Sequence, residues 1–300
     1  MRPCRLPILM LLATLLGANA RVRAEEPPPL TVTALNYPLS YFAERVGGHQ
    51  AQVKLPVPAG QDPAQWRPDP AAVRDMQKSD LILLNGAGAE PWLTQVSLPR
   101  LKLVDTSAGF RSRYIQMEGL VTHSHGPGGT HTHSATANLT WLDLQQAALQ
   151  ADAVAKAMSL TRPAASAAFA GRLAALQADL NELDAALASL SKTRPQQPLL
   201  GSHPVYQYLA RRYELNLRSV HWEPGQPPGE AEWKALEQLL RAHPARWMLW
   251  EAQPEPETAM RLEKLGVRSI AFDTCDNRRA EGDFVTVMRG NLQRLKAAFP

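Results

Sequence analysis

The chain has 300 residues, 45% of them hydrophobic, a formal net charge of +4 and two cysteines. Four of its 32 basic residues, Arg2, Arg5, Arg21 and Arg23, fall in the first 24 positions, where no acidic residue stands, so residues 25–300 carry 28 basic and 28 acidic side chains. A body so neutral lacks the basic footprint on which nucleic-acid binding rests, and Cys275, alone once the leading segment with Cys4 is set aside, leaves the fold to be held by its core.

At the start of the chain, Arg2 and Arg5 precede an apolar run at 6–16 and then small residues, with cleavage positions after Ala20 or Ala24. This reads as a signal peptide over 1–24, because the run is too short to span a bilayer permanently. Cys4 stands before the run, whereas the acylated cysteine of a lipoprotein follows it, so the expected product is a soluble periplasmic protein.

From residue 30 onward, strand-like runs at 30–35, 52–57, 80–85 and 102–106, with a helix at 71–78, give a βαβ pattern and hence a parallel sheet. A second set follows: strands at 199–203, 217–222, 246–251 and 267–273, separated by helices at 206–213, 230–242 and 256–265. Two α/β lobes are therefore expected, an N-terminal one over 25–143 and a C-terminal one over 196–300. The segment 144–195 between them is expected to be helical. Within it, 164–191 has no proline, and Phe169, Leu173, Leu176, Leu180, Leu183, Leu187 and Leu190 recur every three or four residues, the mark of one long amphipathic helix about 40 Å in length. Such a helix either packs against both lobes or forms a coiled-coil dimer; one helix between two α/β sets fits the first arrangement more economically, with a monomer expected.

The stretch at 122–133 interrupts this pattern, with His123, His125, His131 and His133, half of the chain's eight histidines, set among glycines and a proline. It predicts a flexible loop. Two His-x-His pairs suit metal capture, since alternate residues of an extended chain share a face and neutral imidazole is the commonest side-chain ligand of borderline metals. The alternative is a solvated polar loop.

His203 and Asp273 end predicted strands of the second lobe, as does Glu251, and ligands of open α/β sheets gather at the carboxyl ends of strands. An imidazole and a carboxylate there would form a mixed nitrogen and oxygen site, although each residue could equally be a cap or a salt-bridge partner. His49, His221 and His243 have no such context.

The run from Ser202-His203-Pro204-Val205-Tyr206 to Glu214-Leu215 resembles the third-ligand motif of the cluster A-I metal-binding solute-binding proteins, the periplasmic zinc- and manganese-binding components of ABC importers. Trp141-Leu142-Asp143 is similar to the segment after that family's second histidine. Asn85-Gly86 followed by Glu90-Pro91-Trp92-Leu93 resembles its strand-to-loop turn, and Asp273 falls where the family places its final carboxylate. The resemblance covers essentially all of the chain after residue 24. It implies two lobes joined by one rigid helix, a divalent metal held between them with little opening on release, and a membrane permease as partner.

Two positions depart from the family. Ala64 stands where its first histidine belongs, within Asp62-Pro63-Ala64-Gln65-Trp66-Arg67-Pro68, and Leu139 stands where its second belongs. The closest likeness is thus to an atypical subgroup in which a His-x-His loop supplies the missing imidazoles, and the expected ligands are His131, His133, His203 and Asp273. The metal could be zinc, manganese or ferrous iron, free or released from a chelator. A transport protein that makes and breaks no bond is the first reading, and a periplasmic metal chaperone or a partner in siderophore iron release is the second. A metallohydrolase needs a base beside an open metal position, and neither HExxH nor Gly-x-Ser-x-Gly is present.

Overall fold

Short aliphatic runs pair in parallel in each half of the chain, in a computed structural model that describes residues 27–117, 136–222 and 225–300 and the backbone of 122–124 and 130–132. Strands β1 (Leu30–Ala34), β2 (Ala51–Lys54), β3 (Leu81–Leu84) and β4 (Leu103–Asp105) form the first sheet, in the order β2-β1-β3-β4. A two-stranded ladder, β5 (Thr122–Ser124) and β6 (Thr130–Thr132), follows. Strands β7 (Leu199–Gly201), β8 (Leu217–Ser219), β9 (Trp247–Trp250) and β10 (Arg268–Ala271) form the second sheet, in the order β10-β9-β7-β8. Taken from the other edge this is the arrangement of the first sheet, and every pairing in both is parallel. The fold class is the expected one, two lobes with parallel sheets flanked by helices.

The helices are α1 (Tyr37–Gly47), α2 (Pro70–Lys78), α3 (Leu144–Thr161), α4 (Ser166–Thr193), α5 (Gln207–Arg212), α6 (Glu230–Ala242), α7 (Pro256–Lys264) and α8 (Phe284–Leu295). Their starts are chemically marked: Asn36, Asp69, Asp143 and Asp283 each accept a backbone N–H of the first turn of α1, α2, α3 and α8, satisfying donors that have no partner within the helix.

The long helix α4 runs two residues later than the leucine spacing implies, and at 28 residues it is about 42 Å long. Its Phe169, Leu176, Leu180, Leu183 and Leu187 are buried in a core shared by both lobes, and it packs on α1, α3 and α8. Asp179, midway along it, faces Arg45 of α1 at 2.8 Å and Arg289 of α8 at 4.0 Å. The leucine stripe is thus covered within the chain instead of by a second copy. Two smaller clusters sit on the outer faces of the sheets, one around Trp66, Met76, Ile82 and Trp92, the other around Trp222, Trp233 and Met248.

Helices α1 and α8 are additions to the expected elements. In α1 nearly every residue is buried, so no polar stripe reveals its period. In α8 the apolar residues Phe284, Met288, Leu292 and Leu295 do recur at helical spacing behind the Asp283 cap, but the run Phe284-Val285-Thr286-Val287 has the composition of a strand. The histidine-bearing segment also differs from the flexible loop predicted for it. Strands β5 and β6 pair antiparallel, with His123 opposite His131. Among the described residues no helix is long and apolar enough to cross a membrane; the predicted signal peptide lies outside them.

Candidate metal centre

At the carboxyl edge of the second sheet, β10, β9 and β7 are neighbours, and each is followed within two residues by one of the anticipated side chains: Asp273, Glu251 and His203. Adjacent strands are spaced by roughly 4.8 Å, so the ends of these three strands stand within about 10 Å of one another. His203 is buried, and its carbonyl accepts the N–H of Val205 at 2.9 Å. Gly201, two residues before it, sits in a tight space, where a Cβ would meet Ser219 Oγ at 2.8 Å.

Asp273 is fixed from helix α8. The fully buried Asn291 accepts the Asp273 N–H at 3.0 Å and donates to its carbonyl at 2.7 Å, holding the backbone from both sides. The Asp273 carboxylate accepts from the Cys275 N–H at 2.7 Å and from Arg279 Nη2 at 2.6 Å, and Arg279 lies 3.5 Å from Asp276.

The first lobe meets this edge through a pocket lined by Asp62, Ala64, Glu90, Trp92, Leu139 and Asp276, among others. The two positions at which histidines were expected and not found thus lie on one pocket wall. Asp62 closes the turn beneath Ala64 by accepting its N–H at 2.8 Å. Trp66 of the same stretch packs edge-on against Trp92, with ring centroids 5.7 Å apart. The buried Asn277, next to Asp276, donates to the carbonyls of Pro58 and Gln61 at 2.6 and 2.7 Å, and Trp141 Nε1 donates to Thr274 at 2.7 Å. The loop carrying Asp273 and Asp276 is thereby clasped by the first lobe. Glu90 accepts from the N–H groups of Asn85 and Gly86, and Gly86 has φ of 77° in a space where a Cβ would strike Asp105 and Ser107, which accounts for glycine in that turn.

The root of the histidine-bearing segment is at the same place. Gln116 bridges Thr136, the Ala137 N–H donates to Ile115 at 2.9 Å, and the buried Tyr208 hydroxyl accepts from Ile115 and donates to Ala137. The segment therefore leaves and returns at one point, and Asn138 and Leu139, the next residues, line the pocket. The buried Asn85 holds that exit by donating to the Asn138 carbonyl at 2.8 Å.

The site is electrostatically acidic. Burial, reinforced by Asp276 and Asp62 and opposed by Arg279, pushes the Glu251 carboxyl up to about 8. Burial, again with Asp62 adding and Arg279 opposing, raises Asp276 to about 6, and burial raises Glu90 to about 7. Burial is the first cause of all three shifts, because a carboxylate removed from water binds a proton more readily, and a divalent cation nearby would favour the charged form instead.

The structure thus places His203 and Asp273 on one sheet edge. It places His131 by backbone pairing on β6, while His133, with His125, lies outside the described residues. Among the described residues no group of three or more His, Cys, Asp and Glu side chains closes around a metal-sized point. His243 is a core residue whose Nε2 bonds to the Leu199 carbonyl at 2.9 Å, and His49 is exposed. Sequence reasoning passed over Asp62, Asp276, Arg279 and the positioning residue Asn291; the dense charges of Asp273-Thr274-Cys275-Asp276-Asn277-Arg278-Arg279 directly after an apolar strand were the available signal.

Comparison with known proteins bears on the same span of chain. Residues 32–298 match the family model of the zinc-uptake complex component A, periplasmic (ZnuA). The zinc-binding lipoprotein AdcA of Streptococcus pneumoniae is 24% identical over 285 residues, which cover 89% of this chain and 55% of AdcA, so the chain spans about half the length of that relative. The metal ABC transporter substrate-binding lipoprotein ScbA of Streptococcus cristatus is 24% identical over 316 residues, covering 98% of each. The crystal structure of the Zn(II)-bound ZnuA-like domain of S. pneumoniae AdcA superposes with a TM-score of 0.76 at 21% identity, covering 90% of this chain and 99% of that one, and so shares its fold. With the family model matched from the first strand to the last helix, the chain belongs to the ZnuA family of zinc-uptake components.

Proposed function

We propose that the protein is a periplasmic solute-binding protein that captures a divalent transition metal between its lobes, zinc foremost, and delivers it to the permease of an ABC importer. The observation that carries this reading is a convergence. The pocket wall at Ala64 and Leu139 is completed by Asp276, from the loop that carries Asp273, and by Asn138, two residues after the root of the histidine-bearing segment at Thr136. His203 and Asp273 would supply two ligands, and His131 and His133 the imidazoles that Ala64 and Leu139 do not, closing the four-coordinate shell that zinc prefers. His133 stands three residues before Thr136, a reach of about 10 Å for extended chain.

The names of the relatives support the metal and the partner: AdcA is zinc-binding, and ScbA is a metal ABC transporter substrate-binding lipoprotein. Nothing in this reading requires a bond to be made or broken in the metal's surroundings, and a monomer suffices for it. The carboxyl residues Asp62, Glu90 and Asp276 in the pocket lining give a specific ground for manganese or ferrous iron as the second choice, since oxygen donors suit them better than imidazole-rich sites do. Elemental analysis of protein purified from periplasm, followed by competition titrations with zinc, manganese and ferrous iron, tests the reading. Stoichiometric zinc with the tightest affinity is the expected result. Protein that holds no divalent metal under any of the three titrations overturns it.

A further inference from the structure

The second sheet's edge already holds a cation of its own. Arg279 donates from Nη2 to Asp273 at 2.6 Å and lies 3.5 Å from Asp276, and it is the basic side chain whose field opposes the raised affinity for protons of both Glu251 and Asp276. It is secured at one end only. Its Nε is buried and makes no hydrogen bond among the described residues, while its side chain remains 35% exposed and so has an open route to solvent. Asp273, in contrast, is pinned by Asn291 through both backbone groups, so the carboxylate stays in place when the guanidinium moves.

We propose that Arg279 is a built-in competitor for Asp273, so that capture of a divalent ion exchanges one cation for another at the same carboxylate, and release is assisted by the return of the guanidinium. The inference rests on the reading of Asp273 as a metal ligand. The physical ground is charge and distance. Arg279 and the Cys275 N–H both donate to Asp273 Oδ1, so an ion bound at roughly 2.0–2.2 Å from Oδ2 would bring a double positive charge within a few ångströms of the guanidinium, where the two repel in a partly buried site. Of the two, the long, half-secured arginine is the group able to yield. Such an exchange also suits a protein whose lobes share one core helix: the site can be refilled by a side chain without wide separation of the lobes.

The test is a double-mutant cycle in the full-length mature protein, read by zinc competition against a chromophoric chelator. Arg279→Gln is expected to tighten zinc binding by roughly threefold to tenfold, the gain that loss of a partly buried competing ion pair allows, and that gain is expected to vanish in the Asp273→Asn background, because coupled residues are non-additive. Unchanged or weaker binding by Arg279→Gln overturns the proposal. So does a gain that persists without the Asp273 charge, which would mark a long-range field effect instead of competition for one carboxylate. If Asp273→Asn alone binds zinc as tightly as the parent, the ligand assignment itself fails, a result distinct from either of these. Should Arg279→Gln fail to fold, Arg279→Lys takes its place: an ammonium cannot reproduce the planar fork, so a smaller gain with the same dependence on Asp273 is expected, and no gain overturns the proposal.

Discussion

His203, Asp273 and Glu251 occupy equivalent places after three adjacent strands, yet their surroundings assign them different parts. On the proposed ligand set His203→Ala removes a nitrogen donor and is expected to weaken zinc affinity by at least about tenfold; isothermal titration giving the parent's Kd would remove it from the site. Asp273→Asn keeps the shape that accepts the Cys275 N–H and deletes the charge that attracts the ion. It should lower affinity with an unaltered circular dichroism spectrum, and collapse of that spectrum would make Asp273 a structural residue. For Glu251 the prediction concerns pH. Its carboxyl titrates near 8, against an ordinary value of 4.5, so between those limits the folded protein retains a proton that the unfolded chain has lost. The associated stability is fully present below 4.5 and is lost as pH rises through 8. Glu251→Gln cannot titrate, so in metal-depleted protein its melting temperature should exceed the parent's by a margin that widens from pH 5 to pH 8, reaching about 2–4 °C for a difference of about 1–2 kcal/mol. Parallel pH profiles for the two proteins would contradict the burial argument.

At the scale of elements, the strands and the long helix were legible because their apolar patterns match their periods: Leu81–Leu84 is buried at every position, and the leucines of α4 recur at helical spacing. Helix α1 was not, because burial on all sides erases the periodic contrast between apolar and polar positions. Of the proposed site, the side chains at strand ends were the legible part. The ends of β7 and β10 pointed to His203 and Asp273, and the charge run at 273–279 offered a signal for Asp276 and Arg279, whereas Asp62 lines the pocket from a loop distant in sequence, which no local pattern encodes. The histidine-bearing segment joins both halves of this lesson. Its composition signalled metal capture, and its root at Gln116 and Thr136 puts it beside the pocket, a placement that spacing could not supply. Replacing His131 and His133 together with alanine is therefore expected to nearly abolish tight zinc binding, while deleting 122–129 should slow capture in stopped-flow mixing and leave equilibrium affinity high. Parent-like affinity in the double replacement would reduce the segment to an accessory tract and shift the primary site to carboxylates such as Glu251.

Across the whole molecule, the lobes are tied into one unit by the core they share. Helix α4 contributes five buried apolar side chains to it, and Asp179 couples to helices of both lobes. Leu180 is wholly buried there, so Leu180→Ala should destabilise the protein by about 2–5 kcal/mol and lower a single calorimetric transition, with both lobes unfolding together; two separated transitions would show that the lobes are stabilised independently. On the proposed function, a shared core of this kind leaves recognition to the side chains that meet between the lobes. The direct test is a crystal structure of the zinc-loaded protein with anomalous data collected at the zinc edge. The account predicts one anomalous peak between the lobes, within about 2.0–2.2 Å of a His203 ring nitrogen and an Asp273 oxygen, with Arg279 moved off that carboxylate; a peak remote from both residues, or none in the cleft, would contradict it.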